Sequence, residues 1–148
     1  PGQIQRYMNK ISGPLLDRID IQVEITPVPF KDISQAAQGE SSSVIRERVI
    51  RARHMQEQRF KEVKGVYSNA QMSERMIHQF AEPDAEGIEL LRTAMERLSL
   101  SARAYNRILK VARTIADLEQ SETVKSQHLA EAISYRNLDR GDWAERGN

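Results

Sequence analysis

Arg103, Arg107, Lys110 and Thr114 fall on one line of a helix that starts near residue 101. At about 100° per residue they lie within about 40° of one line. Tyr105, Ile108, Leu109, Ala112 and Ile115 take the opposite side. Cations on the face turned from a core are placed to meet an anion. This stripe begins in the first helical turn, where a cation opposes the helix dipole at a cost of a few tenths to about 1 kcal/mol. Two readings stand. One is a solvated basic face with a mildly unfavourable Arg103. The other is an Arg103 that meets an anion such as phosphate, the attraction offsetting the dipole cost.

A second arginine is set apart in "SGPLLDRIDIQVEI", where Arg18 stands between a short apolar turn and an alternating segment, flanked by Asp17 and Asp20. It is either a surface arginine paired with one of those acids or an arginine held at a rigid junction and offered to a neighbouring subunit. A guanidinium suits polyphosphate because it stays charged and donates two parallel hydrogen bonds. Supplied across an interface to a transferring phosphoryl group, that role is worth about 10³ to 10⁵ in rate.

The elements that must hold these residues follow from periodicity. Ile4, Tyr7, Met8 and Ile11 have helical spacing over residues 3–11. Gly13 can close that helix, and Pro14 can open a turn of "PLLDR". From Ile19 to Ile25 the odd positions are all Ile or Val and the even ones Asp, Gln and Glu, the pattern of a half-buried strand. A polar linker is expected over 31–43. A long helix is expected over 44–63, with Ile45, Val49, Ala52 and Met55 on one stripe and Gly65 after it. A short helix over 74–80 follows. Next comes one opened by Pro83 with Ile88, Leu91, Met95 and Leu98 as its core stripe. Ser101 caps the helix of the basic stripe. The last helix, over 126–136, packs through Leu129, Ala132 and Ile133, and the tail is polar except for Trp143.

Composition narrows the functions. A chain of 148 residues suits one domain or two small ones, and 39% hydrophobic residues can build a core. The net charge of +1 gives no overall pull toward nucleic acid or membrane. There is no cysteine, and His54, His78 and His128 show no ligand spacing. No apolar run approaches the roughly 18 residues of a membrane span. No signal peptide opens the sequence, so the expected compartment is cytoplasmic. The sequence opens at Pro1 inside a helical pattern, as a piece excised from a longer chain would. G-x-x-x-x-G-K-[ST], paired acids closing an apolar strand, G-x-S-x-G and H-E-x-x-H are all absent, so the chain by itself is expected to hydrolyse no nucleotide.

"RYMNKISGPLLDRIDIQVEI", "GESSSVIRERVIRAR" and "LSLSARAYNRILKVARTIADLE", the last followed by "HLAEAISYR", resemble the C-terminal half of magnesium-chelatase-like AAA+ ATPases of the YifB/ComM group. The resemblance runs over about residues 3 to 140, in three blocks in the right order. It implies a mainly α fold: a helical AAA+ lid bundle preceded by a linker helix and one strand left over from the α/β ATPase core. The divisions it implies are residues 1–30 for the end of the core, 31–66 for linker and long helix, 67–137 for the lid and 138–148 for the tail. By resemblance Arg18 matches the arginine finger that reaches the neighbour's nucleotide, and Arg103 the sensor-2 arginine on the ATP phosphates, with Arg107 a weaker candidate. ATP and Mg²⁺ are implied for the longer protein and none for this piece. The implied partners are its own copies in a ring, usually a hexamer, and DNA, with no membrane. The resemblance favours a DNA motor linked to branch migration in natural transformation.

Other readings remain at this point. One is an ATPase subunit of a true metal-chelatase complex. Another is a small DNA-binding module using the helix from Ser101 for recognition, against which the near-zero net charge argues. The third is an interaction scaffold whose strand at 19–25, with bare edges, is disordered, pairs with another copy or folds onto the lid.

Overall fold

The computed structural model describes residue 6, residues 10–16, 18–23, 25, 27 and 28, and residues 39–136. Among them are the helices α1 (Gly13–Leu16), α2 (Ser42–Phe60), α3 (Glu74–Phe80), α4 (Ala85–Leu98), α5 (Ala102–Leu118) and α6 (Ser126–Ser134), with a 3-10 turn at Asn69–Gln71. Most of the helix expected over 3–11, the linker residues 31–38 and the tail 138–148 lie outside the described residues. The mainly α class is as expected.

Helix α5 is the axis of the bundle. It packs against α6, α2, α3 and the 3-10 turn, while α4 packs on α6. Its Ile108, Leu109, Ala112, Ile115 and Ala116 meet Phe60, Met72, Ile77, Leu91, Val124 and Leu129 in one apolar core. Each large side chain so buried contributes about 1.5–3 kcal/mol before entropy is counted. Phe60 and Phe80 close one side edge to face, their rings 5.8 Å apart.

Local chemistry sets the helix starts. Ser101 Oγ accepts from the Ala104 N–H at 3.2 Å, the expected cap. Ser73 caps α3 from Met76 at 3.4 Å, and α3 spans the expected residues. Helix α4 departs from expectation. Pro83 is not its first residue: Asp84 is the N-cap, its Oδ1 accepting from Gly87 N–H at 2.8 Å, and Pro83 instead bridges to Val124. The buried face is Gly87, Leu91 and Ala94, while Ile88 is exposed. A glycine lets α6 come close: a Cβ on residue 87 would stand 2.7 Å from Leu129 Cδ1. The helix therefore approaches α6 at Gly87, and Ile88 beside it is left outside.

Helix α2 begins at Ser42 and ends at Phe60, three residues short of expectation, the chain turning away through Gly65 at φ +81°. The face carrying Ile45 and Val49 continues into Ala52, Gln56 and Phe60, but only these last three are buried. The bundle meets the second half of the helix and leaves the first half uncovered.

The strand expected at 19–25 is not formed among the described residues. Ile19, Ile21, Val23 and Ile25 are 39, 51, 63 and 87% exposed, and Gln22 from the polar row is the buried one. A strand needs a neighbour to take its backbone donors and acceptors, and no strand among the described residues offers one. The segment lies instead against the end of α6. Gln22 N–H donates to the Tyr135 carbonyl at 3.0 Å, its side-chain amide donates to the Leu16 carbonyl at 3.3 Å, and Arg136 Nη1 donates to the Ile19 carbonyl. The alternation is real, but the apolar row is left without cover.

Candidate functional site

The Ser101 cap and the buried Ala104 fix the first turn of α5, and the turn sends Arg103 outward. Its guanidinium is exposed and engages no hydrogen bond or ion pair among the described residues. The rest of the stripe is taken. Arg107 Nη1 is paired with the Asp20 carboxylate. Lys110 Nζ donates to the Ala70 carbonyl at 2.8 Å. Thr114 donates to the Lys110 carbonyl at 2.9 Å and accepts from Asn69 Nδ2 at 3.0 Å. Asp20, Ala70, Arg103, Arg107 and Lys110 line a cleft of about 230 Å³. Desolvation holds the Lys110 ammonium below the usual lysine value, the Arg107 charge adding to this and Asp20 offsetting part of it. The cleft thus concentrates positive charge, with Arg103 as its open cation.

Arg18 follows α1, its N–H bonded to the Leu15 carbonyl at 3.0 Å. Its side chain is exposed and has no partner among the described residues. Of the two acids beside it, Asp20 has turned to Arg107, and Asp17 lies outside the described residues. The structure therefore brings Arg103 and Arg107 into one cleft and leaves Arg18 out of its lining, two residues from Asp20.

A buried polar cluster escaped the sequence reading. Asp117, fully buried, accepts from Arg59 Nη2 at 2.5 Å, from Arg59 Nη1 at 2.8 Å and from Asn69 Nδ2 at 2.8 Å. It also accepts from Arg113 Nε at 3.1 Å. Arg113 donates on to the carbonyls of Glu122 at 2.8 Å and Ser121 at 2.5 Å. Burial lowers the Arg113 guanidinium from its ordinary value, and Asp117 offsets part of that. Gln56 completes the set, accepting from Asn69 N–H at 3.0 Å. Arg113 and Asp117, four residues apart, look like an exposed helical pair in sequence, and nothing there points to Arg59, 58 residues from Asp117. The cluster joins α2, the 3-10 turn and α5. Its groups are satisfied by one another, so its role is to fasten these elements.

His128 is likewise structural. Its Nδ1 accepts from the Lys125 N–H at 3.0 Å, so Nε2 carries the proton and donates to Glu119 at 2.9 Å. Among the described residues no group of three or more His, Asp or Glu could hold a metal ion, and no helix is long and apolar enough to cross a membrane.

Comparison with known proteins adds to this geometry. Residues 39–136 match the family described as magnesium chelatase, subunit ChlI C-terminal, and residues 1–33 match magnesium chelatase, subunit ChlI. The chain belongs to the magnesium-chelatase family. Among relatives in this family, an uncharacterized protein YifB of Salmonella typhimurium is 43% identical over 141 residues, 95% of this chain and 27% of the relative. The competence protein ComM of Haemophilus influenzae is 38% identical over 139 residues, 93% of this chain and 26% of the relative. An uncharacterized protein Rv2897c of Mycobacterium tuberculosis is 38% identical over 132 residues, 89% of this chain and 26% of the relative. The chain spans about a quarter of the length of these curated relatives. Both sides of the cleft fall in matched segments, Asp20 in residues 1–33 and Arg103, Arg107 and Lys110 in residues 39–136.

Proposed function

We propose that this chain is the C-terminal portion of a magnesium-chelatase-like AAA+ ATPase, working in a ring of its own copies, with ATP and Mg²⁺ held by parts of the protein beyond these residues. Arg103 is the sensor-2 arginine, meeting the phosphates of ATP. Arg18 is the arginine finger, reaching the nucleotide of the adjacent subunit. The observation that carries the reading is the state of Arg103. It is the uncommitted cation of the α5 stripe among the described residues, placed where the helix dipole disfavours it and at the mouth of a basic cleft. A bound polyphosphate offsets that cost. Arg107, the weaker candidate, is already committed to Asp20, which favours Arg103 as the phosphate ligand.

The motor acts on DNA in this reading, in the manner of branch migration. Support comes from the Haemophilus influenzae relative, a competence protein by name. The alternative in which α5 itself reads DNA has lost its main asset, since Arg107 and Lys110 are engaged within the chain.

The test uses the full-length protein. Arg18→Ala is expected to cut ATP turnover by about 10³-fold or more while ATP binding stays near wild type. Arg103→Ala is expected to weaken ATP binding. Turnover that survives in Arg18→Ala removes the finger assignment, and unchanged ATP affinity in Arg103→Ala removes the sensor.

A further inference from the structure

The segment carrying Arg18 is fastened to the helix carrying Arg103. Asp20, two residues after Arg18, holds Arg107, one helical turn after Arg103. Two further bonds hold the same segment to the end of α6, leaving the Asp20–Arg107 pair as its ion-pair link to α5. Arg136 Nη1 donates to the Ile19 carbonyl, and Gln22 N–H donates to the Tyr135 carbonyl at 3.0 Å. The path from one guanidinium-bearing residue to the other is short. Two residues of extended chain span at most about 7 Å, and four residues of helix rise about 6 Å. No other side chain on α5 is joined by an ion pair to residues 18–23 among the described residues.

We propose that Asp20 and Arg107 are positioning residues that couple the chain's own nucleotide site to the arginine it lends to its neighbour. This rests on the reading of Arg103 and Arg18 given above. A shift of α5 as Arg103 takes hold of phosphate is passed through the Arg107–Asp20 ion pair to residues 18–20, and so re-aims Arg18. Neither Asp20 nor Arg107 need touch nucleotide. The pair is suited to this because it is half-exposed and so contributes little to folding. It can be broken without dissolving the bundle, whereas the buried Arg59–Asp117 cluster cannot. It also explains why Arg107, on the same line of α5 as Arg103, is turned to a carboxylate and not left open like its neighbour.

The experiment compares Asp20→Asn, Arg107→Gln, the double variant and the conservative Asp20→Glu in the full-length ATPase, with Arg18→Ala alongside. Turnover and ATP affinity are read separately, and melting of each variant is recorded. Each single change is expected to lower kcat on the order of tenfold, the scale of coupling between sites, with ATP affinity unchanged. The double variant is expected to be no slower than the slower single, because one interaction has been removed twice. Asp20→Glu, which keeps the charge, is expected to retain most of the turnover. Wild-type turnover in Asp20→Asn overturns the coupling while leaving the finger and sensor in place. Additive losses in the double variant overturn it too, as does weakened ATP binding in Arg107→Gln, which would make Arg107 a phosphate ligand. Normal turnover in Arg18→Ala overturns the underlying reading and the coupling with it.

Discussion

Ile108 and Ile21 are the same side chain in two regions of one chain, 1% and 51% exposed. Each belongs to a regular apolar series, one with helical spacing on α5 and one alternating along the segment after Arg18. The first series meets α6, α2 and α3 and is covered. The second is tied to the end of α6 through backbone groups of Ile19 and Gln22 and turns its apolar row outward. Helix α2 repeats the contrast within itself, its face covered from Ala52 onward and bare at Ile45 and Val49. Periodicity thus reports which face a partner is meant to cover. It does not report whether that partner lies within the same stretch of chain.

The contrast can be broken by substitution, and the largest effect belongs to the covered region. Asp117→Ala leaves Arg59 and Arg113 buried without their carboxylate and is expected to destabilise the chain by about 3–5 kcal/mol in urea unfolding. A loss under about 1 kcal/mol would mean that the cluster is open to water. Ile108→Ala is expected to cost about 2–5 kcal/mol, the range for emptying a packed site. Ile21→Ser should stay within about 0.5 kcal/mol, as surface changes do. Equal costs for the two isoleucines would erase the difference between the regions.

The smallest effect sharpens the covered side. Glu119 is held below the usual carboxylate range, first by the hydrogen bond from His128 and next by that from Gln127. A carboxyl lowered in the folded state binds fewer protons there than in the unfolded chain. Its contribution is therefore present above the unfolded value and lost as pH falls through the folded one. The stability gap between wild type and Glu119→Gln is expected to be constant near neutral pH and to close on acidification below about pH 4. A gap that widened in acid would reverse the assignment.

The α5 stripe, the Ser101 cap and the bounds of α3 were legible because each is decided by residues within a turn or two of one another. The bare first half of α2 was not, because its Ile45 and Val49 carry the same pattern as Ala52 and Phe60. Helix α4 misled for a related reason: Ile88 is more apolar than Gly87, yet the close approach of Leu129 selects the glycine face. At the candidate site, Arg18, Arg103 and Arg107 stood out by type and position. Asp20 stood out only as a partner for Arg18, and Ala70 not at all, because they lie 87 and 40 residues from the cations they engage. Distance along the chain hid Arg59 from Asp117 in the same way.

The buried trio of Arg59, Asp117 and Arg113 sets how α2 can behave. Its grip lies near Phe60 and the bundle covers the helix back to Ala52, so the first half of the 19-residue helix projects about 15 Å to Ser42. A rod held this way copies the rotation of its mount and enlarges it. A tilt of the bundle by about 10° carries the tip through about 3 Å beyond the point where cover ends, moving whatever is joined at residue 41 by roughly half a helical pitch.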